Sequence, residues 1–267
     1  MDLRKLYLTK NKCYTKGGTH KVVGLMLHST GSNNPWLKRY VGPDDGALGV
    51  NKYGNHWNTA TPGGRKVCVH GFIGKLESGA IATYQTLPWT MPGWHSGIGS
   101  KGESKNANNT GWIGVEICED GLSDKTYFQA VYREAVELFA YLCKEFDLDP
   151  MTDILCHSEG HSKGIASNHG DVMHWFPKHG KSMDTFRTDV QAQIENNQEE
   201  IDVIVYRTLR DVPKTHRPTI QKLMEAGALT GYENPDPNSL DDNILNVDET
   251  YCRVMTTLDR LGKLRTD

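Results

Sequence analysis

The chain has 267 residues, of which 37% are hydrophobic, and a formal net charge of −3 at pH 7. This length exceeds one average domain and supplies enough apolar side chains for a core, which excludes a wholly disordered chain. The sequence contains no block of lysine or arginine. This argues against nucleic acid as a partner, because phosphate binding depends on clustered cations.

The N-terminal segment lacks the unbroken apolar core of a signal peptide. No stretch reaches the roughly 18 to 20 apolar residues of a membrane-spanning helix. We therefore expect synthesis in the cytoplasm without a signal peptide, and no membrane insertion. The six cysteines are scattered and contain no CxxC pair, so we expect mostly reduced, buried thiols.

Four short apolar runs predict β-strands. They cover residues 21–28, 67–73, 112–118 and 154–157. The first run ends on His28 ahead of a polar SerThrGlySer loop, and the last ends on His157. The second run continues through a turn at residues 74–79 into another apolar segment, which predicts a hairpin.

A strongly amphipathic helix is predicted between the third and fourth strands, with Ser123 or Asp124 as its N-cap. Its apolar positions are spaced by three and four residues: Phe128, Val131, Ala135, Leu138 and Leu142. A further helix is predicted from Met183 to about Asn197. Strands interleaved with helices predict an α/β domain with a mixed central β-sheet flanked by helices.

The polar segment 195–203 predicts a linker between two domains. Residues 1–194 form the larger domain, and residues 204–267 form a small, mainly helical C-terminal domain. In the second domain we predict a short helix stopped by Gly227, a tight turn at Gly231, and another helix from about Glu249 to Leu261.

A zinc site is one interpretation of the histidines, of which five of the eleven fall between His157 and His179. A catalytic zinc needs about three protein ligands and an open position for water. His28 and His157 lie at strand ends, where a rigid sheet presents side chains to a cleft. Spacing does not choose their partner among Glu159, His161, His169, Asp171 and His174. Structural histidines remain the alternative.

Glu116 lies inside the third predicted strand, where a carboxylate is costly to bury without a partner or a role. Strand alternation places it on one face with Gly114 and Cys118, opposite Val115 and Ile117. Beside a metal, such a carboxylate takes a proton from the attacking water. The alternative is a glutamate that faces solvent.

The chain contains four fragments in this order: LMLHSTG at 25–31, GWHSG at 93–97, IGVEIC at 113–118 and CHSEG at 156–160. Together they resemble the type 2 N-acetylmuramoyl-L-alanine amidases, which include phage endolysins, bacterial autolysins and peptidoglycan recognition proteins. The resemblance covers roughly residues 18–190. It implies zinc-dependent hydrolysis of the amide between N-acetylmuramic acid and L-alanine of the stem peptide, with peptidoglycan as substrate and no organic cofactor.

The resemblance also implies roles for particular residues. In the family, a LysXaaCys or LysXaaAsp pattern often supplies the last zinc ligand, whereas this chain has His169-Gly-Asp171. Asp171 then takes the ligand position and His169 takes the lysine position, where a cation stabilises the oxyanion. The implied set is zinc ligands His28, His157 and Asp171, catalytic residues Glu116 and His169, and substrate contacts His95 and Trp94. A structural role is the alternative for Trp94.

Within residues 205–265, the sequence AspValPro followed by IQKLMEAGALTGY resembles part of an S-layer homology domain. This implies binding of a cell-wall polymer, and the alternatives are a helical cap or a dimerisation element that makes a homodimer. For the whole chain we expect a phage or prophage lysin, released through a holin-type pore because a wall hydrolase without a signal sequence needs an exit.

Three alternatives to such a lysin remain. The first is a bacterial autolysin, and the second is a recognition protein that binds muropeptides without cutting them. The third is a cysteine hydrolase that uses Cys156 or Cys118 with a nearby histidine. The apolar residues before Cys156 instead favour a thiol buried at the end of a strand.

Overall fold

The computed structural model describes residues 1–202, 205–206, 208–229, 247–261 and 263. The chain divides into two compact units, residues 1–195 and 196–267. Within the described residues, no helix is both long enough and apolar enough to cross a bilayer. The tight turn predicted at Gly231 lies outside the described residues.

A six-stranded sheet forms the centre of the first unit. Its strands are β1 (Leu3–Lys5), β2 (Gly24–Asn33), β3 (Gly71–Lys75), β4 (Ile81–Gln85), β5 (Trp112–Glu119) and β6 (Ile154–Cys156). They lie in the order β1-β4-β3-β5-β2-β6. Only the β3–β4 hairpin is antiparallel, and the other neighbouring pairs are parallel. The mixed sheet predicted from the sequence is therefore confirmed.

The helices that begin in the first unit are α1 (Lys12–Lys16), α2 (Lys125–Phe146), α3 (Pro150–Asp153), α4 (His157–Ser162) and α5 (Met183–Asp202). Asp124 is the N-cap of α2, because its carboxylate accepts hydrogen bonds from the backbone N–H groups of Thr126 and Tyr127. The apolar residues of α2 pack in one cluster with Leu25 and Leu27 of β2 and with alternate residues of β5.

Strand alternation places Met26 and His28 on the face of the sheet opposite α2. The core cluster under α2 likewise contains Val115 and Ile117 of β5, which leaves Gly114 and Glu116 on the other face. The predicted face assignment for β5 agrees with this arrangement. The sheet thus has one face buried under a helix and one face available for a site.

Several predicted strand boundaries differ from the structure. Strand β2 begins at Gly24 and runs to Asn33, through the segment predicted as a loop, with an irregular register against β5 after Ser29. Strand β3 begins at Gly71, because Cys68 instead forms an isolated antiparallel bridge with Trp94. These changes affect strand ends and not strand order.

Two helix boundaries also differ from the predictions. His157 does not end β6 but is the first residue of α4. Helix α5 continues through Asp202, so most of the segment predicted as a linker, 195–203, is helical. The segment contains three glutamates and one glutamine, which are good helix formers and favour this continuation.

The second unit contains α6 (Arg217–Glu225) and α7 (Glu249–Arg260), and the short antiparallel pair β7 (Val205–Tyr206) and β8 (Val247–Asp248). Gly227 follows α6 with a φ of 69°, a left-handed conformation that favours glycine and ends the helix. The unit has a core cluster of its own: Leu209, Val212, Ile220, Leu223, Met224, Val247 and Cys252. The predicted small, mainly helical C-terminal region is present.

Candidate active site and metal centre

Two site residues are placed directly by the sheet. His28 on β2 and Glu116 on β5 are register partners in neighbouring parallel strands, so their side chains leave the same face. The ring of His28 is buried, with 1% of the residue exposed. Backbone pairing along both strands thus fixes an imidazole beside a carboxylate.

His157 and Asp171 come from the segment that follows the sheet. Strand β6 pairs with β2 through Leu27 and Cys156, so His157, the next residue, opens α4 beside His28. Asp171 begins a 3-10 turn that ends at His174, and its φ is 45°. Aspartate is one of the few residues that tolerate this left-handed conformation.

Three candidate ligand atoms lie close together. Nδ1 of His28 lies 2.8 Å from Oδ2 of Asp171 and 3.1 Å from Nδ1 of His157, and the His157 nitrogen lies 3.1 Å from the same Asp171 oxygen. With metal–ligand distances of about 2.0–2.1 Å, the corners of a zinc tetrahedron lie roughly 3.3 Å apart. The triangle therefore fits three corners of such a site. Imidazole nitrogen and carboxylate oxygen are both common zinc ligands in proteins.

The electrostatics of this triangle agree with a cation site. Burial lowers the pKa of His28, although the Asp171 carboxylate opposes that shift. Burial alone would raise the pKa of Asp171, but the two neighbouring imidazoles, of His157 and His28, lower it well below its usual range. Neutral imidazole and ionised carboxylate are the protonation states that bind a metal.

Glu116, the register partner of His28, has a carboxyl group with an unpaired oxygen. Its Oε2 is buried and unpaired among the described residues. Burial and repulsion from Asp171 and Glu119 raise the pKa of Glu116 well above its usual range, and the charge of Arg65 lowers it in part. An unpaired carboxyl group with a raised pKa, in a cleft, is typical of a general acid or base.

His169 lies next to the triangle but outside it. Its ring centroid is 4.8 Å from that of His157, and its Nδ1 lies 3.1 Å from Oγ of Ser167. The side chain is exposed. The structure therefore places His169 at the mouth of the site, and Asp171 among the converging ligand atoms.

His95 and Trp94 occupy different environments. Nδ1 of His95 lies 3.0 Å from Nε2 of His28, and its Nε2 lies 3.1 Å from the carbonyl oxygen of Trp112. Both ring nitrogens of His95 thus have partners within the protein. Burial, together with the charge of His28, lowers the pKa of His95 well below its usual range.

Trp94 borders an open cavity of about 1000 Å³. Four cationic side chains and one carboxylate line the same cavity: Lys12, Lys16, Arg65, Lys66 and Glu103. Among the described residues, none of these cations has an ion-pair partner. The cavity therefore carries excess positive charge in a chain whose net charge is −3.

The other candidate ligands are engaged elsewhere. The carboxylate of Glu159 accepts two hydrogen bonds from the guanidinium of Arg187, in a bidentate arrangement. His174 lies 3.0 Å from Glu119, and His161 lies 3.3 Å from the carbonyl oxygen of Ala166. Spacing could not choose among these residues; in the described part of the chain, Asp171 is the group whose oxygen lies close to nitrogens of both His28 and His157.

Neither of the two candidate cysteines is an activated nucleophile. Cys156 is buried, and burial raises the pKa of its thiol to about 12. Burial and the nearby charge of Glu116 raise the pKa of Cys118 well above its usual range. Because the thiolate is the reactive form, both residues are poorly suited to nucleophilic catalysis.

Three polar residues around the site carry no signal in the sequence. Ser167 contacts both His157 and His169, Asn108 binds the backbone of the turn that carries His95, and Glu119 accepts a hydrogen bond from the residue after His28. Serine, asparagine and glutamate are common on surfaces. Only their folded positions distinguish these three.

Comparison with known proteins identifies the family of the chain and similar folds. Residues 18–174 match the family model described as N-acetylmuramoyl-L-alanine amidase. The Staphylococcus aureus hydrolase AmiA, solved with its ligand, is 16% identical with a TM-score of 0.50, and the match covers 75% of this chain and 86% of that chain. At this identity the likeness concerns the fold alone.

Two further structures give similar values. The catalytic domain of XlyA is 18% identical with a TM-score of 0.47, covering 71% of this chain and 99% of that chain. PlyL is 18% identical with a TM-score of 0.48, covering 71% and 97%. No curated protein matches the chain by sequence. Because the family model spans more than half of the chain, the chain belongs to the N-acetylmuramoyl-L-alanine amidase family.

Proposed function

We propose that the chain is a zinc-dependent amidase that hydrolyses the bond between the lactyl group of N-acetylmuramic acid and L-alanine of the peptidoglycan stem peptide. The observation that carries the proposal is the triangle of His28, His157 and Asp171 beside an unpaired Glu116. The family match supplies the substrate class. When bound, zinc would polarise the amide carbonyl and lower the pKa of water towards about 7.

In this proposal Glu116 acts as the general base and then as the general acid. Its carboxylate takes a proton from the attacking water and returns it to the amine nitrogen of L-alanine as the C–N bond breaks. The neighbouring acidic groups that raise its pKa make this return favourable near neutral pH. The products are a carboxylate on the lactyl group and a free amine on the peptide.

His169 has the second proposed catalytic role. The Ser167 contact occupies its Nδ1, so its Nε2 can be directed to the oxygen of the scissile carbonyl. A hydrogen bond there stabilises the negative charge that develops on that oxygen. The exposed position of His169 at the mouth of the site suits a residue that meets the substrate.

Trp94 and the cationic cavity are proposed to bind the stem peptide. The peptide carries free carboxylates, which complement Lys12, Lys16 and Arg65, and the indole offers a flat apolar contact. A Lys12→Ala, Lys16→Ala double variant is expected to raise KM several-fold with little change in kcat. Its KM should also depend less on salt than that of the wild type, because exposed charges are screened.

The test of the main proposal is hydrolysis of purified cell walls, measured as new L-alanine amines without new reducing sugar ends. The wild-type protein is expected to release amines. A zinc chelator should stop this hydrolysis, and added zinc should restore it. Glu116→Gln is expected to lose roughly 10²- to 10⁴-fold in rate with unchanged zinc content. The matched control is Glu145→Gln, an exposed glutamate on α2.

Other outcomes would point to other functions. Hydrolysis that survives both the chelator and Glu116→Gln contradicts the mechanism. Hydrolysis lost only on thiol alkylation indicates the cysteine hydrolase, against the raised pKa of Cys156. Sedimentation with walls but no amine release indicates a recognition protein.

We also propose that residues 204–267 form a separate domain that binds a cell-wall polymer. The independent core of this region and its resemblance to an S-layer module support the proposal. Full-length Glu116→Gln protein should sediment with intact walls and less with walls stripped of their secondary polymers. Equal sedimentation contradicts polymer binding, and light scattering would show whether the region makes a homodimer.

The biological setting is proposed to be that of a phage or prophage lysin. In that setting the protein gathers in the cytoplasm and reaches the wall through a holin-type pore. Expression alone should leave cells intact, and co-expression of a pore-forming protein should lyse them. Lysis without the pore indicates another export route, as in an autolysin.

A further inference from the structure

Both candidate ligand histidines direct Nδ1 to Asp171, so each has Nε2 on its far side. A metal-binding imidazole is neutral, and its second nitrogen carries the proton and donates it to a nearby acceptor. The residues that accept from Nε2 therefore decide whether Nδ1 is free to bind a metal.

The acceptor for His28 is His95. The carbonyl oxygen of Trp112 can only accept, so the His95 proton lies on Nε2, 3.1 Å from that oxygen. This leaves Nδ1 of His95 as an acceptor, 3.0 Å from Nε2 of His28. Nε2 of His28 must then carry the proton, and Nδ1 of His28 keeps the lone pair that a metal needs.

The acceptor for His157 is Ser167. The Ser167 hydroxyl lies 3.1 Å from the carbonyl oxygen of Ser96 and 3.2 Å from Nε2 of His157. Nδ1 of His169 lies 3.1 Å from the same hydroxyl. Because the carbonyl takes the hydroxyl proton, the hydroxyl oxygen accepts from Nε2 of His157 and from Nδ1 of His169. His157 is thus held in the same tautomer as His28, by a different kind of side chain.

One turn supports both acceptors. The buried Asn108 accepts from the backbone N–H groups of His95 and Ser96, at 2.6 and 2.8 Å, and donates to the carbonyl oxygen of Gly97 at 2.8 Å. Gly114 lets the His95 ring lie against β5, since a Cβ at that position would be 2.4 Å from the ring. Residues 95–97 therefore lie behind both histidines as one supported unit.

We propose that His95 and Ser167 are positioning residues that fix the tautomers of His28 and His157, through the turn held by Asn108. The inference rests on the proposed zinc centre. It gives His95 a role within the protein that differs from the substrate contact implied by the family resemblance. It also explains why Ser167, which has no motif, lies between the second histidine and the third ligand in the chain.

The test measures zinc affinity by chelator competition, with the visible spectrum of bound Co²⁺ as a second readout. Ser167→Ala and His95→Phe are each expected to weaken zinc binding by about 10- to 100-fold and to change the Co²⁺ spectrum. His95→Asn should recover most of the affinity, because its side-chain oxygen can replace Nδ1 as acceptor. Ser162→Ala is the matched control, an exposed serine bonded to its own helix.

Thermal unfolding of the metal-free proteins separates positioning from folding. The proposal expects Ser167→Ala to unfold near the wild-type temperature while binding zinc less tightly. Wild-type affinity in both Ser167→Ala and His95→Phe overturns it, and so does a His95→Asn variant as weak as His95→Phe. If His95→Phe does not fold, Ser167→Ala, which removes one oxygen, decides. A wild type that binds no zinc refutes the metal centre itself.

Discussion

The site has a strand-borne half and a loop-borne half, which are held by different forces. His28 and Glu116 lie on neighbouring strands whose backbones pair in register on both sides of them. Asp171 and His169 lie in a segment with only a short 3-10 turn, which side chains hold to the sheet: Val172 packs in the core cluster, and His174 bonds to Glu119. When one side chain is removed, the remaining residues of the strand-borne half should therefore keep their positions better than those of the loop-borne half.

The tie between the halves runs through Glu119. This buried carboxylate accepts from the Ser29 hydroxyl at 2.6 Å and from Nε2 of His174 at 3.0 Å. Ser29 follows His28 on β2, and His174 ends the turn that Asp171 begins. Through these two hydrogen bonds, Glu119 connects the residue after His28 with the turn that carries Asp171.

The largest effect is expected within the loop-borne half, where Asp171 and His169 are two residues apart. Asp171→Ala removes one of three ligands and should weaken zinc binding by at least about a hundredfold, as each ligand carries a share of the binding energy. His169→Ala should keep zinc and lose hydrolysis, because its proposed role is at the oxyanion. Metal analysis measures the zinc content of each variant, and the amine-release assay measures its rate of hydrolysis.

A reversed result would exchange the two roles. Undiminished zinc in Asp171→Ala, with zinc lost in His169→Ala, would make His169 the third ligand. His161→Ala is the control, since this exposed histidine of α4 is not among the converging atoms and lies 3.3 Å from the carbonyl oxygen of Ala166.

The second prediction concerns the strand-borne half and its pH dependence. His70 precedes β3; its Nδ1 accepts from the N–H of Gly114 on β5 and its Nε2 donates to the carbonyl oxygen of Met91. Burial lowers the pKa of His70 to about 4 from 6.5. The neutral ring therefore stabilises the fold above pH 6.5, and this stability is lost as the pH falls towards 4.

Because of this shift in the His70 pKa, the free energy of unfolding should fall by roughly 3 kcal/mol between pH 7 and pH 4. Denaturant titrations of metal-free wild type and His70→Asn between pH 7 and 4 measure it. The two proteins should differ most at pH 7 and converge towards pH 4. A difference that stays constant with pH would show that His70 does not remain neutral in the folded state.

The same contrast explains what the sequence could predict. Alternation along β5 predicted Glu116 on one face with Gly114 and Cys118, and the apolar run of β2 predicted His28 at a strand end, but only the pairing of the two strands shows that both side chains leave the same face. The segment after β6 has no such pattern. There the family resemblance, not spacing, ranked Asp171 above its neighbours, and no pattern indicated Ser167 or Asn108, whose hydrogen bonds join residues far apart in sequence.

Strand ends were less predictable for a related reason. The polar residues after His28 suggested a loop, but the ladder with β5 continues beyond an irregularity to Asn33. Pairing depends on the partner strand, which a local pattern does not contain.

The smallest effect is expected at Glu119, where the two halves meet. Glu119→Ala leaves the buried Ser29 hydroxyl without its acceptor and frees the His174 end of the turn. We expect a loss of about 1–3 kcal/mol in the free energy of unfolding and roughly tenfold weaker zinc binding. Glu119→Gln keeps an acceptor oxygen and should lie near wild type in both measurements. If the alanine variant loses stability but binds zinc like wild type, the loop-borne half holds Asp171 without this tie.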